Sequence, residues 1–324
     1  QTIMQAKETT DLMTREVMEG LKATPKYILS KYFYDDKGSE LFSRIMHMPE
    51  YYPTNSELSI FRKYSRQIIN SLLADSKPVN LVELGAGDGF KTKLLVEALM
   101  KESVAFSYVP IDISADAIHQ LQDHFDEDYP ELEINGKIKD YETGLSELKD
   151  DPSTQNVILF LGSTIGNFEQ KDAVDFLKMI QKNMSAEDVL LVGFDLVKDP
   201  EIIIKAYNDE QGITRDFNLN LLERFNSELG ANFDVSAFRH YPIYDPLEKA
   251  AKSFLLSEKE QNVFFEATGE EIHFGKWEFI FTEISRKFDM STIRRMVDEA
   301  GFSIFKNFTD NKNYFQDTLL QKKS

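Results

Sequence analysis

The most distinctive short motif in the chain is a glycine-rich loop between an apolar stretch and an amphipathic one, Glu83-Leu84-Gly85-Ala86-Gly87-Asp88-Gly89. Gly85 and Gly87 allow the backbone to turn tightly and to approach a bound molecule closely. A pyrophosphate would need the start of the following helix to be free of negative charge, and the acids around this loop oppose that. S-adenosylmethionine has no phosphate and carries a sulfonium and an ammonium group. The loop therefore favours this cofactor over a dinucleotide.

Further polar residues follow the next two predicted strands, at the edge where an open α/β sheet binds ligands. Asp112 ends the second strand, and its two carboxylate oxygens could accept hydrogen bonds from both ribose hydroxyls. Asp140 could accept from the adenine amino group while Tyr141 packs on the ring, and Lys91 could pair with the cofactor carboxylate. The alternative is that both acids cap helices or face solvent and that Lys91 is a surface lysine. The glycine loop at the right distance favours a cofactor role for the two acids.

Strands that alternate with helices predict a doubly wound (Rossmann-like) α/β fold. Five predicted strands are apolar on both faces and lie at residues 78–84, 108–113, 132–138, 156–161 and 188–194. Helices are predicted at residues 91–101, after Ser114 as the N-cap, and at residues 171–182. Such strands form a parallel sheet with helices on both sides. A late helix at 291–300 and strands at 303–308 and 314–321 are expected to complete the methyltransferase-type sheet.

The two remaining parts of the chain lack this alternation. Residues 1–57 are predicted to be helical and are rich in Tyr and Phe, with a capping box at residues 53–57 that opens a long helix. Residues 201–287 combine two helices with three strand-like stretches. We therefore predict a cofactor-binding domain of residues 58–200 with 288–324, and a smaller α+β substrate-binding domain of residues 1–57 with 201–287.

Composition argues against several functions. The net charge of −18 argues against a broad nucleic-acid-binding surface. The chain has no cysteine, and its five histidines lack the close spacing of metal ligands, so no metal site is predicted. No apolar run is long enough to span a membrane, and the first residues do not resemble a signal peptide. The expectation is a cytoplasmic protein, monomeric by default, without membrane or nucleic-acid partners.

Several longer segments are more specific than the glycine loop. They are Tyr32-Phe33-Tyr34-Asp35, Gly38-Ser39-Glu40-Leu41-Phe42, Pro49-Glu50-Tyr51-Tyr52-Pro53-Thr54, Leu161-Gly162-Ser163-Thr164-Ile165-Gly166-Asn167-Phe168, Asp195-Leu196-Val197-Lys198-Asp199, Ala206-Tyr207 and Thr282-Glu283-Ile284-Ser285. In this order they resemble the histidine-specific, S-adenosylmethionine-dependent methyltransferases, the family of the L-histidine Nα-methyltransferase of ergothioneine biosynthesis. The resemblance runs from about residue 20 to the C-terminus. A generic small-molecule methyltransferase would share the loop without these segments.

The resemblance implies residues that hold the amino-acid head group. The matches Tyr34 and Asn167 hold the amine, Tyr207 holds the carboxylate with Asn167 contributing, and Phe42 lies near the methylated ammonium. The chemistry agrees, because Asn offers both a donor and an acceptor and aromatic faces attract a quaternary ammonium. Without the resemblance, the aromatic residues would be assigned to the core, Asn167 to a turn and Tyr207 to a helix surface.

The resemblance also implies how the side chain of the substrate is recognised. The matches Glu283 and Ser285 bind the imidazole, with Tyr51 nearby. Glu283 and Ser285 alternate along a predicted strand and therefore point to one face. An alternative is that Glu283 pairs with a neighbouring basic residue on a solvated face. The chain departs from the family at Ser253, where a ring-packing methionine is expected, and a hydroxyl cannot give the same contact.

On the cofactor side the matching residues are Gly85, Lys91, Asp112, Asp140 and Tyr141. The resemblance implies N-methylation of the α-amine of L-histidine, three times, to the betaine hercynine. Two alternatives stay open at this point. The chain could methylate another aromatic amino acid or an indole derivative, or it could be a non-catalytic module that binds the cofactor.

Overall fold

A computed structural model describes residues 2–73, 77–102, 104–149, 151 and 153–323, with side chains from residue 10 onward. Contacts divide the chain into two compact units. The first unit is Gln1–Tyr52 with Lys198–Arg286, and the second unit is Pro53–Val197 with Lys287–Ser324. No helix in the described part of the chain is both long and apolar enough to cross a membrane. The assignment of one domain to the cofactor and the other to the substrate stays a prediction.

The strands are numbered in chain order. They are β1 (Lys26–Tyr27), β2 (Val79–Leu84), β3 (Phe106–Asp112), β4 (Lys137–Ile138), β5 (Gln155–Phe160), β6 (Val189–Asp195), β7 (Phe238–Asp245), β8 (Ala250–Ser257), β9 (Gln261–Phe265), β10 (Glu270–Phe274), β11 (Phe279–Arg286), β12 (Phe302–Thr309) and β13 (Phe315–Lys322).

The helices are α1 (Thr2–Lys22), α2 (Asp36–Met46), α3 (Tyr52–Leu72), α4 (Lys93–Lys101), α5 (Ala115–Asp128), α6 (Tyr141–Ser146), α7 (Gln170–Lys182), α8 (Pro200–Tyr207), α9 (Ile213–Leu229) and α10 (Met290–Glu299). Short 3₁₀ helices lie at Ser30–Phe33, Thr164–Asn167 and Val235–Ala237.

The second unit contains a seven-stranded sheet in the order β12-β13-β6-β5-β2-β3-β4. Strands β2 to β6 are parallel to one another, whereas β13 is antiparallel to both β6 and β12. The burial of every residue of β5 and β6 agrees with a sheet that is covered on both faces.

Two apolar layers cover this sheet. Helices α3, α4 and α5 pack on one face, for example through Phe61, Leu95 and Phe125. Helices α6, α7 and α10 pack on the other face, for example through Leu145 and Leu177. Helices on both faces of a mainly parallel sheet confirm the predicted doubly wound α/β fold.

The first unit combines helices with antiparallel strands. Its larger sheet has the order β1-β11-β8-β7, and β9 and β10 form a separate hairpin. Helices α1, α2 and α9 pack with both into one apolar core that includes Leu21, Ile45, Phe225, Leu255 and Phe274. Helix α9 contributes residues to this core from Ile213 to Leu229. Apolar packing therefore sets the position of the whole helix, including its first turns.

Some local predictions are confirmed and others are wrong. Ser114 is the N-cap of α5 and accepts a hydrogen bond from Ala117 N at 3.2 Å. The predicted strand at 132–138 contains only β4 and an isolated bridge between Ile134 and Tyr108. The intervening Gly136 packs against Ile118 of α5, where an added Cβ would lie 2.5 Å from a side-chain carbon. A glycine that approaches a helix this closely interrupts the strand.

The predicted helix at 91–101 and the predicted capping box also need correction. Helix α4 begins at Lys93, and Lys91 lies in the turn before it. Helix α3 begins at Tyr52, and the carboxylate of Glu57 accepts from the backbone N–H of Gly162 instead of closing a capping box. Glu57 therefore makes a long-range polar contact in place of the local capping interaction that the sequence pattern indicated.

Candidate active site

The glycine loop adopts the backbone conformation that its sequence predicts. Gly85 and Gly87 have φ of 69° and 56°, which side chains other than glycine rarely adopt. A Cβ added at Gly85 would lie 2.7 Å from the Tyr141 hydroxyl, whereas one added at Gly87 would meet nothing within 4 Å. The loop thus packs under Tyr141 on one side and leaves space for a ligand beside Gly87.

Glu83, the acid before this loop, is turned into the protein. Its two carboxylate oxygens lie 2.8 and 2.7 Å from the Thr92 hydroxyl, and it also accepts from the Tyr108 hydroxyl. Burial raises the pKa of Glu83 to about 7. Its carboxyl group therefore supports the loop from below.

Asp112 and Asp140 follow neighbouring strands of the second unit. Asp112 accepts from Ser114 N at 2.8 Å, and burial raises its pKa. Asp140 is the N-cap of α6 and accepts from the hydroxyl and the backbone N–H of Thr143 at 2.7 and 2.9 Å, bonds that lower its pKa. Tyr141 is the first residue of α6, not the end of a strand, and burial with the nearby Asp112 raises its pKa to about 12. Helix capping explains the orientation of Asp140 and leaves its proposed cofactor role untested.

The ammonium group of Lys91 has an unforeseen partner. It forms an ion pair with Glu57, whose side chain is fully buried. The positive charge is therefore paired, on a side chain that is 18% exposed. Whether Lys91 also binds a cofactor carboxylate stays a prediction. The sequence analysis did not identify Glu57 as a residue of this region.

Asn167 is exposed at the end of the 3₁₀ helix that follows β5. Gly162 and Ser163 enter this segment with φ of 72° and 57°. The segment is held at two points, because Gly162 N donates to Glu57 and the Ser163 hydroxyl accepts from Asp195 N at 2.9 Å. Because both hydrogen bonds hold this loop, the backbone that carries Asn167 has a defined position.

Three of the aromatic candidates of the first unit lie together. The ring centroids of Tyr34 and Phe42 are 5.5 Å apart, and those of Phe42 and Tyr51 are 6.4 Å apart, both with edge-to-face geometry. Phe217 of α9 contacts Tyr34 and Phe42 from below, with centroid distances of 6.0 and 5.8 Å. Tyr34 is 48% exposed, so one face of this group is open to a ligand.

A second group of candidates lies on the larger sheet of the first unit. The Tyr207 hydroxyl donates to Ser285 Oγ at 2.7 Å, and both residues are buried. Glu283 of β11 is the register partner of Ser253 of β8. Directly opposite residues of an antiparallel pair share a face, so Glu283 and Ser253 project on the same side of the sheet.

A β-bulge sets this arrangement. The register of β11 against β8 shifts between Phe281 and Glu283, which leaves Thr282 as the extra residue. The Thr282 hydroxyl lies 2.8 Å from Asn218 Oδ1 of α9 and 3.0 Å from the carbonyl oxygen of Ser253. A bulge of this kind re-aims the side chains after it, here Glu283 and Ser285.

His240 of β7 is a further residue that the sequence analysis did not select. Its Nε2 lies 3.3 Å from the Ser253 hydroxyl, and it is only 8% exposed. Burial lowers the pKa of His240 to about 4, so the imidazole is neutral near pH 7. Only the pairing of β7 with β8 reveals this contact, because the two residues are 13 positions apart.

Within the described part of the chain, no group of three or more His, Asp or Glu side chains could hold a metal ion. The candidate residues offer hydroxyls, amides, carboxylates and aromatic rings. Such groups can orient an amine and a heteroaromatic ring, and they can support a transfer in which positioning contributes most of the rate.

Comparison with known proteins identifies the family. Residues 13–322 match the model of a family described as histidine-specific, S-adenosylmethionine-dependent methyltransferases. The histidine N-alpha-methyltransferase of Mycobacterium tuberculosis (strain CDC 1551 / Oshkosh) is 36% identical over 96% of this chain and 95% of its own length. The protein of the same name from Mycolicibacterium smegmatis is 35% identical over 94% and 93% of the two lengths.

A longer relative shares only a part of its length with this chain. Ergothioneine biosynthesis protein 1 of Schizosaccharomyces pombe is 29% identical over 86% of this chain, which corresponds to 37% of that protein. The family match and the two bacterial relatives extend over nearly the whole chain, and they confirm the resemblance drawn from the sequence. This chain is a member of the histidine-specific, S-adenosylmethionine-dependent methyltransferase family.

Proposed function

We propose that this chain transfers methyl groups from S-adenosylmethionine to the α-amine of L-histidine, three times in succession, to give hercynine. The observation that carries the proposal is the polar group on the larger sheet of the first unit. There Glu283 and Ser285 share one face of β11 after the bulge at Thr282, and Ser285 is bonded to Tyr207. An acid and a hydroxyl on one face suit the two ring nitrogens of an imidazole, one of which donates while the other accepts.

The cofactor side of the proposal uses residues of the second unit. The space beside Gly87 fits a ligand that approaches the backbone closely, and the half-buried Asp112 supplies an acceptor for ribose hydroxyls. Asp140 and Tyr141 are assigned to the adenine, and Lys91 to the cofactor carboxylate. No phosphate has to be accommodated, which agrees with the acids around this loop.

The head group of the substrate is assigned to four residues. Asn167 and Tyr34 hold the α-amine, and Tyr207 holds the carboxylate with Asn167. Phe42, whose ring centroid lies 5.5 Å from that of Tyr34, lies near the methylated nitrogen. Aromatic faces stabilise a cation by about 0.5–2 kcal/mol, which favours retention of the partly methylated amine for the next transfer.

The assignments divide the work of catalysis among these residues. When bound, S-adenosylmethionine supplies an electrophilic methyl group on its sulfonium. Asn167 and Tyr34 orient the amine lone pair, and ordering of the reactants provides the main catalytic contribution. The amine must be neutral to react, so its proton has to pass to solvent before the transfer, and Tyr34 or a water held at Asn167 assists this by hydrogen bonding to the amine.

The ring of the substrate is assigned to a pocket of the first unit. Glu283 and Ser285 bind the imidazole nitrogens, Tyr51 lies nearby, and Ser253 lies beside Glu283 in the β8–β11 register. We further propose that the protein acts in the cytoplasm as a monomer, with a free amino acid as its substrate and without a nucleic-acid or membrane partner.

One observation favours a second candidate function. Ser253 stands where the family resemblance leads us to expect a methionine, and its hydroxyl faces the neutral imidazole of His240 at 3.3 Å. This exchange of an apolar contact for a polar one changes the surroundings of the ring. Methylation of a different aromatic amino acid or of an indole derivative is therefore the alternative.

The deciding experiment is incubation of the purified protein with S-adenosylmethionine and single amino acids, including histidine, tryptophan and tyrosine, followed by mass spectrometry. A gain of three methyl groups on histidine alone supports the main proposal. A gain on another amino acid keeps the amine chemistry and changes the ring assignment. No gain on any amino acid contradicts both candidates.

A further inference from the structure

We infer that Glu57 is a positioning residue for methyl transfer, and that it fixes the Gly162–Asn167 loop together with Asp317 and Lys91. This inference rests on the proposed function, because the loop affects methyl transfer through Asn167, which is assigned to the substrate amine. Glu57 does not contact the reacting atoms. It acts through the backbone of Gly162 at one end of the loop and through the ammonium group of Lys91 beside the glycine loop.

The contacts of Glu57 connect two parts of the second unit. Its two carboxylate oxygens lie 2.9 and 3.1 Å from Gly162 N, and Lys91 Nζ binds the same carboxylate. Glu57 is 0% exposed, so water does not compete for these bonds. A charge-assisted bond in a dry environment holds a loop more firmly than a neutral bond at the surface.

The sheet leaves room for this carboxylate. Gly193 of β6 has no side chain, and a Cβ added there would lie 2.6 Å from Glu57 Oε1. Asp317 of β13 is the register partner of Gly193. The space above Gly193 is therefore occupied by a carboxylate from α3, beside a second carboxyl group from the neighbouring strand.

Asp317 adds a second buried carboxyl group to the ion pair of Glu57 and Lys91. Its side chain is 0% exposed, and neither carboxyl oxygen has a hydrogen-bond partner within the described residues. Burial and the charge of Glu57 raise its pKa well above the usual range, against the opposing effect of Lys91. The raised pKa favours the protonated form of Asp317, which can lie beside the Glu57 carboxylate without adding a second negative charge.

The remaining ionisable groups near this site are accounted for. Lys91 feels the charges of Glu57, Glu83 and Asp317, and together these raise its pKa despite burial. Lys91 and Glu57 form the ion pair of this site, and the raised pKa of Asp317 disfavours a second negative charge beside it. Glu83 is held separately by the Thr92 and Tyr108 hydroxyls.

The test compares four variants in the full chain: Glu57→Gln, Asp317→Asn, Asp317→Leu, and Glu187→Gln as a control. Glu187 is an exposed acid of the same unit, paired with Lys77. For each variant, the turnover rate is divided by the fraction of protein that binds S-adenosylhomocysteine in a calorimeter. Hydrogen exchange of residues 161–168 is followed by mass spectrometry.

A positioning role predicts a specific pattern. Glu57→Gln should retain S-adenosylhomocysteine binding, lose about tenfold or more in turnover per binding site, and exchange faster at residues 161–168. Asp317→Asn should turn over within about threefold of the wild type, because an amide has the shape of a neutral acid and also donates a hydrogen bond. Asp317→Leu should lose turnover as Glu57→Gln does, and Glu187→Gln should match the wild type.

Two results would overturn the inference. Normal turnover and exchange in Glu57→Gln would show that the loop does not depend on Glu57. Loss of S-adenosylhomocysteine binding in that variant would show that Glu57 serves the cofactor site, through Lys91, or the fold, and not the position of Asn167. The wild type is first assayed with the amino-acid panel, and the variants are then assayed with whichever amine it methylates. Failure of the substrate assignment is thereby separated from failure of the Glu57 assignment.

Discussion

The two units hold their interior polar groups in different ways. In the second unit, charged side chains are buried in pairs, as in Lys287 with Asp195 at 2.8 Å and Lys91 with Glu57. In the first unit, buried side chains bond to neutral groups, such as Tyr207 to Ser285 and Thr282 to Asn218. The buried carboxylate of Asp209 likewise accepts from the neutral backbone N–H groups of Ile213 and Thr214. Pairs of opposite charge in the first unit include Lys37 with Glu223, which is about half exposed.

This difference corresponds to two tasks. Buried ion pairs in a parallel sheet hold backbone segments such as the loop at Gly162, and they tolerate little change because an unpaired buried charge is costly. Hydroxyls and amides can each donate or accept, so they can bind a neutral amine and a neutral imidazole without a fixed charge. The buried ion pairs thus restrain backbone segments of the second unit, and substrate recognition by the first unit stays a prediction.

The largest expected effect is the loss of a buried charge in the second unit. Lys287→Ala leaves the carboxylate of Asp195 without its cation, at side-chain exposures of 0% and 1%. The free energy of unfolding should fall by about 3–5 kcal/mol, measured by urea titration. The double variant Asp195→Leu with Lys287→Met should lose clearly less, because no buried charge remains. Equal losses in the single and double variants would contradict this account.

The next effect concerns the neutral imidazole of the first unit. The pKa of His240 is about 4, below the ordinary value of 6.5, so the unfolded state binds more protons between these values. The contribution of His240 to stability is therefore fully present above pH 6.5 and falls as the pH decreases towards 4, by up to about 3 kcal/mol. The difference in unfolding free energy between the wild type and His240→Phe should show this slope, because the opposite contribution of Glu83, whose pKa is raised to about 7, is common to both proteins. His124→Gln changes an exposed histidine and is the control, so its unfolding free energy should depend on pH as that of the wild type does. An unchanged pH dependence in His240→Phe would contradict burial of His240 as the cause.

A third prediction separates catalysis from cofactor binding. Asn167→Ala should reduce kcat by about 100-fold, the usual cost of removing one oriented polar group at a reacting centre. The affinity for S-adenosylhomocysteine should stay within about threefold of the wild type, because no cofactor contact is assigned to Asn167. Asn135→Ala, at an exposed position of the same unit, is the control. Near-normal turnover of Asn167→Ala would contradict the assignment of Asn167 to the head group of the substrate.

A fourth prediction tests recognition of the ring. Glu283→Ala should reduce kcat/KM for histidine by about 30-fold, since a hydrogen bond to a charged group contributes about 1.5–3 kcal/mol. An amino acid with an apolar ring should be affected far less, because it makes no such bond. Glu271→Ala changes an exposed acid of the same unit and should have no effect on either substrate. A similar loss for both substrates would indicate a general structural effect of Glu283.

Local signals in the sequence predicted the second unit well. The loop at Gly85 and Gly87 depends on φ values that glycine alone adopts easily, so its sequence spacing is informative. Ser114 caps α5 because its hydroxyl accepts from a backbone N–H three residues away. Glu57 lay beyond such reasoning, because its partner Gly162 is 105 residues away and a capping box explained its position equally well.

The candidate site of the first unit was predictable by resemblance and not by pattern. Alternation suggested that Glu283 and Ser285 share a face, but no local pattern indicates the bulge at Thr282 that determines which face. The contact between His240 and Ser253 depends on the pairing of β7 with β8. Strand register is set by tertiary packing, so only the structure places these side chains together.

The smallest expected effect is at the surface of the first unit. The side chains of Lys37 and Glu223 are 55% and 48% exposed, so solvent and salt screen their attraction. Lys37→Gln should change the free energy of unfolding by less than about 1 kcal/mol, and 0.5 M sodium chloride should remove most of that change. Urea titration at low and high salt measures both. A loss comparable to that of Lys287→Ala would mean that burial does not decide how strongly ion pairs stabilise this protein, and the contrast between the two units would then need a different cause.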